Sequence, residues 1–166
     1  HYMSPEFDPP LFRDGYAALA ALMRGRATYA GFHGYPRQFL DTFKSMAYYC
    51  ANRLGYWFFV EGLKLPDLQA GEVNTVTLIV SNRGFSRCYH NFELKFRLVG
   101  QDIYEFACND VDVTKWQPVY VPSLEDCIYE EIKLDLTNVP KQKAKLQIGL
   151  FENDRPILLG MSKELM

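Results

Sequence analysis

The chain is short of the residues that most often build reactive centres. It has three histidines in 166 residues, and one of them is His1. Its four cysteines, Cys50, Cys88, Cys108 and Cys127, form no Cys-x-x-Cys pair. This excludes the common structural zinc patterns, and no metal is expected. The cysteines are too widely spaced for a disulfide framework and are expected as partly buried free thiols. Charge of either sign is not in excess: 18 Lys and Arg stand against 20 Asp and Glu, a net charge of -2. Such a balance gives no electrostatic footprint for nucleic acid and no basic stripe for anionic lipid. No apolar run reaches the ~18 residues of a membrane-spanning helix. The first residues lack the basic start and apolar core of a secretory signal. Gly-x-Ser-x-Gly, a Gly-rich phosphate loop and His-Glu-x-x-His are all missing. The length excludes a complete (β/α)8 barrel, which needs roughly 250 residues.

What is present is the composition of an ordered globular chain: 48% hydrophobic, 15% aromatic and 23% charged. The length fits one domain, or one domain plus part of a second. Residues 1–7 (HYMSPEF) read as a cloning remnant.

The hydrophobic period changes near Leu54. Residues 8–53 read as helix, short strand, helix. Asp8-Pro9-Pro10 is a breaker cluster. Leu11, Tyr16, Leu19 and Met23 then recur near helical spacing, with Gly25 placed to stop that helix. Residues 28–32 form a short apolar strand, and Pro36 suits the first position of the next helix. Phe39, Leu40, Phe43, Met46, Ala47 and Cys50 put one apolar face on that helix, which Asn52 could end. This face is expected to pack on the sandwich through Tyr56, Trp57 and Phe58, or on a second copy. The short strand is expected to add to a sandwich edge or pair with another molecule.

From residue 54 the period is two. Phe92, Leu94, Phe96 and Leu98 alternate with Glu93, Lys95 and Arg97, and similar runs recur at sandwich spacing. Asn82-Arg83-Gly84 is a turn signal, and residues 152–155 (ENDR) make a closing hairpin. The fold class is therefore mainly β: an Ig-like antiparallel β-sandwich of about seven or eight strands over residues 54–166, preceded by the helix-strand-helix segment. Asp110, Asp112 and Asp126 sit in loop-like stretches and read as solvated carboxylates rather than a calcium loop. Trp116, near Pro118 and Tyr120, is either an exposed aromatic contact or a plug that tucks its loop under. Tyr120 is a contact candidate with it.

Three segments carry a resemblance: residues 29–37 (YAGFHGYPR), 52–58 (NRLGYWF) and 79–89 (IVSNRGFSRCY). In that order they resemble the C-terminal part of bacterial proteins in which a glycoside-hydrolase-like barrel carries a DUF4832-type β-sandwich. Residues 29–37 resemble the last barrel strand and its turn. Residues 52–58 resemble the entry into the sandwich. Residues 79–89 are similar to the family's W-x-N-x-G-x-A-P-x-Y signature, with Val80 in place of Trp. The resemblance implies that residues 8–53 are the end of a barrel and that His33, Tyr35 and Arg37 could line its sugar pocket. It also implies that the paired catalytic carboxylates of a glycosidase, roughly 5–10 Å apart, belong to earlier barrel strands. No catalytic residue, cofactor or hydrolysis is then expected of this chain, although the parent could be a glycoside hydrolase. The implied function is a noncatalytic accessory sandwich that braces the barrel or contacts glycan. Its partners would be glycan, the barrel or a second copy. The alternative is a structural or protein-interaction Ig-like domain with no sugar role.

Overall fold

The computed structural model describes residues 2–3, 16–31, 36–119 and 124–161. The order is β1 (Tyr2–Met3), α1 (Tyr16–Arg24), β2 (Tyr29–Ala30), α2 (Pro36–Thr42) and α3 (Lys44–Ala51). Then come β3 (Phe58–Lys64), β4 (Val73–Asn82), β5 (Glu93–Val99), β6 (Ile103–Ala107), β7 (Ile128–Asp135), β8 (Lys145–Glu152), β9 (Arg155–Ile157) and β10 (Gly160–Met161).

Strands β3 to β10 form two four-stranded sheets, ordered β10-β3-β4-β7 and β6-β5-β8-β9. Every pairing among β3 to β9 is antiparallel. The chain builds the hairpins β3-β4, β5-β6 and β8-β9, and it changes sheet between β4 and β5, β6 and β7, and β7 and β8. This is the Ig-like sandwich that the period-two pattern predicts.

Alternation fixes the core. On β5, Leu94, Phe96 and Leu98 face in, while Glu93 and Arg97 stay exposed. They meet Phe58, Val60, Val76, Leu78, Val80, Ile132, Leu134 and Leu150 in one buried cluster drawn from both sheets. Each such side chain contributes ~1.5–3 kcal/mol on burial, which is why the register is held so firmly. Register slips once, between Val60 and Gly62, where a bulge adds Glu61 to β3.

The β8-β9 turn follows its sequence. Asn153 and Asp154 both take positive φ, 48° and 65°, as a two-residue hairpin turn of the primed kind requires. The strand after it departs from the reading. It holds only to Ile157, then crosses over, and β10 pairs in parallel with β3 in the other sheet.

The helical segment also differs in detail. The residue that ends α1 in the left-handed region is Arg26 (φ 49°), one position after Gly25. The second helix is two, because Phe43 leaves the helical region (φ -122°, ψ 36°). Strand β2 pairs in parallel with β1, not with a sandwich edge. Of that apolar face, Cys50 and Met46 dock on Phe85 of the β4-β5 loop rather than on Tyr56, Trp57 and Phe58, while Leu40 stays exposed. Phe85, Leu22, Ala27 and Cys50 are buried together, with Leu19, Met23, Met46 and Leu54 packed around them. Tyr56 and Phe58 instead belong to the sandwich core, stacked at 5.1 Å.

Backbone bonds tie this joint. Residues 53–57 run beside residues 83–86. The Arg83 N–H donates to the Trp57 carbonyl, Phe85 to Arg53 and Ser86 to Gly55 (2.8, 2.7 and 2.8 Å). The crossing leaves no room for a side chain at Gly84. A Cβ there would lie 2.3 Å from the Gly55 carbonyl oxygen and 2.7 Å from the Trp57 nitrogen. Both obstacles are backbone and cannot rotate away. Gly84→Ala is therefore expected to cost about 1–3 kcal/mol, read as a lower urea midpoint at unchanged slope.

Candidate functional site

The β4-β5 loop organises the chemistry of the molecule. Asn82, at its start, is fully buried, so all four of its side-chain bonds must be met inside the protein. Its Oδ1 accepts from the N–H groups of Trp57 and Gly84, both at 3.1 Å. Its Nδ2 donates to the carbonyls of Ser86 and Trp116, at 2.9 and 3.0 Å. One amide thus joins the helix exit, the loop and the segment before β7.

Arg83 turns the other way, onto the outer face of β3. It grips both oxygens of Glu61, with Nη2 at 2.8 and 2.9 Å and Nε at 3.0 Å, and lies 3.5 Å over the Phe59 ring. Ser81 Oγ donates to the same carboxylate. Arg53 caps this cluster from the end of α3: Nη1 donates to the Arg83 carbonyl at 2.8 Å, and its guanidinium covers the Tyr49 and Trp57 rings. These charged groups are committed to other parts of the chain, so the cluster is a clamp.

Beyond Gly84 the loop leaves the joint and opens a cleft of about 570 Å³. Leu54, Gly55 and Tyr56 form one wall, with Thr28 beside them. Arg87, Tyr89 and His90 form the other. All three of those side chains are exposed. The Tyr89 hydroxyl accepts from Oγ of the buried Ser86 at 3.4 Å, and the Arg87 guanidinium sits 5.3 Å from the Tyr89 ring. Arg87 forms no ion pair among the described residues. Burial raises the Tyr56 hydroxyl above its ordinary pKa, as it does the Cys88 thiol, and Glu152 adds to both.

The thiols are poor nucleophiles where they lie. Desolvation pushes Cys50 and Cys108 up to about 11, which leaves little thiolate at neutral pH. All four cysteines are free. Among the described residues no group of three metal-ligating side chains converges. Asp112 caps a short 3₁₀ turn by accepting from the Thr114 N–H and Oγ, which holds its carboxyl below the usual range.

The residues picked from sequence fare unevenly. His33, Tyr35 and Tyr120 lie outside the described residues. Arg37 is exposed near the start of α2. Trp116 is 1% exposed: its ring meets Phe58 edge-on at 4.9 Å, and its Nε1 donates to Glu130 at 2.7 Å. It is the plug that tucks its loop under and has no open face for a ligand. Arg87, Tyr89 and His90 are legible as a polar and aromatic run after a turn. Their opposite wall comes from residues 54–56, which no local pattern connects to them.

Comparison of the chain with protein-family models, with curated proteins and with solved structures finds no match.

Proposed function

We propose that the chain is a noncatalytic accessory β-sandwich of a carbohydrate-active protein, and that its helical segment is its attachment to a larger body. One observation carries this reading. The inner side of α3 is docked on Phe85, but Leu40, Tyr48 and Tyr49 remain 47%, 61% and 39% exposed, and Tyr16 and Tyr29 are 64% and 63% exposed. Such a concentration of large apolar groups on a short helical segment marks a contact surface. The resemblance of residues 29–37 and 52–58 to the end of a glycoside-hydrolase-like barrel supplies the kind of body that would cover it. The second reading is a structural or protein-interaction Ig-like domain. What favours it is that Trp116, the tryptophan nearest a loop edge, is spent on the core.

Hydroxyl-radical footprinting tests the attachment. In the product of the full gene, Leu40 and Tyr48 are expected to be labelled several-fold less than in this chain. Equal labelling in both would overturn the attachment. The purified chain is also expected to leave aryl glycosides unhydrolysed above a buffer blank. Turnover that survives repurification and is lost on a single Asp or Glu substitution would contradict the noncatalytic reading.

A further inference from the structure

The cleft between the helix exit and the β4-β5 loop brings three properties together. The first is an exposed aromatic ring. Tyr89 is 55% exposed, and its hydroxyl accepts a long bond (3.4 Å) from Oγ of the fully buried Ser86. The Arg87 guanidinium lies over the ring 5.3 Å from its centre, and the exposed remainder of the aromatic surface is open to a stacking ligand.

The second is a cation with no acidic partner among the described residues. Other arginines beside acids are engaged: Arg83 on Glu61 at 2.8 Å, and Arg97 on Glu105 at 2.6 Å. Arg87 carries its charge at the mouth of a concave site with a tyrosine ring beneath it. A guanidinium presents two parallel N–H donors that match a carboxylate, and it is weakly enough hydrated to exchange water for one. His90 adds ring nitrogens on the same wall. The third property is a mixed opposite wall. Leu54, Gly55 and Tyr56 line it, with Thr28 beside them.

We infer that this cleft binds a pyranose ring bearing a carboxylate, a uronic acid unit, with the ring on Tyr89 and the carboxylate on Arg87. This rests on the accessory reading and deepens it by naming a ligand class. Ligand sites of this kind are concave, mostly apolar and oriented by a few polar groups. Orientation within the cleft follows from Arg87, whose guanidinium draws a carboxylate to its own wall. A neutral pyranose would keep the stacking and lose the ion pair.

Heteronuclear NMR titration of the whole chain with methyl glucuronide tests this, with methyl glucoside and acetate as separate arms. The expected result is saturable shifts of the amides of residues 54–56 and 87–90 with the glucuronide, at millimolar affinity. Methyl glucoside should bind about tenfold more weakly, and acetate should not saturate in the same range. Arg87→Gln should bring the glucuronide down to the glucoside's affinity. Tyr89→Ala should weaken both sugars together. Both side chains are exposed, so the variants should keep the wild-type dispersion elsewhere. Three results would overturn the inference: no saturable shift at these amides, equal affinity for the two glycosides, or acetate matching the glucuronide. Footprinting of Leu40 and Tyr48 is independent of all three, so loss of the cleft would leave the attachment reading standing.

Discussion

Phe85→Ala is expected to be the most damaging single truncation outside the sandwich core. The ring is 1% exposed and, among the described residues, is the one sandwich side chain buried in the cluster of Leu22, Ala27 and Cys50. Removing it takes away the burial of a large aromatic and leaves a cavity that the short helices can only partly close. The cost is about 3–5 kcal/mol, a large share of a domain's total stability. In a chain of this size it lowers the midpoint of thermal unfolding by roughly 10 °C. The location of the damage is as diagnostic as its size. Cys50 sits in that cluster at 4% exposure, and burial holds its thiol at about 11. In the wild type it should resist alkylation at neutral pH. In the variant it should react far faster, while Cys88, buried on the sandwich side, stays protected. Acceleration of both together would mean that the whole chain had loosened and that Phe85 has no special place at the joint.

Asn82→Ala is expected to cost a comparable ~3–5 kcal/mol by a different route. Alanine leaves the N–H groups of Trp57 and Gly84 and the carbonyls of Ser86 and Trp116 without the partner they now share. Each buried polar group left unsatisfied costs roughly 1–3 kcal/mol, less where a water can enter the space vacated. Asn82→Asp sharpens the test. It preserves shape and both accepting bonds but loses both donors and sets a carboxylate against two carbonyl oxygens. It should therefore be no more stable than the alanine variant by urea denaturation, despite being the smaller change. An aspartate variant as stable as the wild type would show that the donated bonds contribute nothing.

Much of the sandwich was legible because a half-buried strand writes its geometry into every second residue. The reading of residues 92–98 as a strand, and of residues 152–155 as a closing turn, rests on that rule and on the tolerance of Asn153 and Asp154 for positive φ. The switch of sheet after Ile157 was not legible. Leu158 and Leu159 carry no mark that one is almost fully exposed while the other packs on the core. The role of Gly84 was half legible. It stands in a turn signal, but its φ is ordinary, and what demands glycine is the backbone of residues 55–57 pressed against it. That contact joins segments nearly thirty positions apart. The docking of Phe85 was hidden for the same reason, since a lone aromatic in a loop has the same sequence whether it covers a helix or faces water. Trp116 carried two readings, and the burial of its ring against Phe58 chose between them. The cleft needs both the helix exit and the loop, so its residues were visible while the site was not.

All of this depends on the helical segment and the sandwich being one body joined at residues 82–86. Native-state hydrogen exchange measures that directly. The amides of α1 and α3 are expected to be protected and, in rising sub-denaturing urea, to merge with the exchange of the β4 and β5 amides. If those helix amides exchange as fast as an unfolded peptide while β4 and β5 stay protected, the joint does not hold and the one-body reading is wrong.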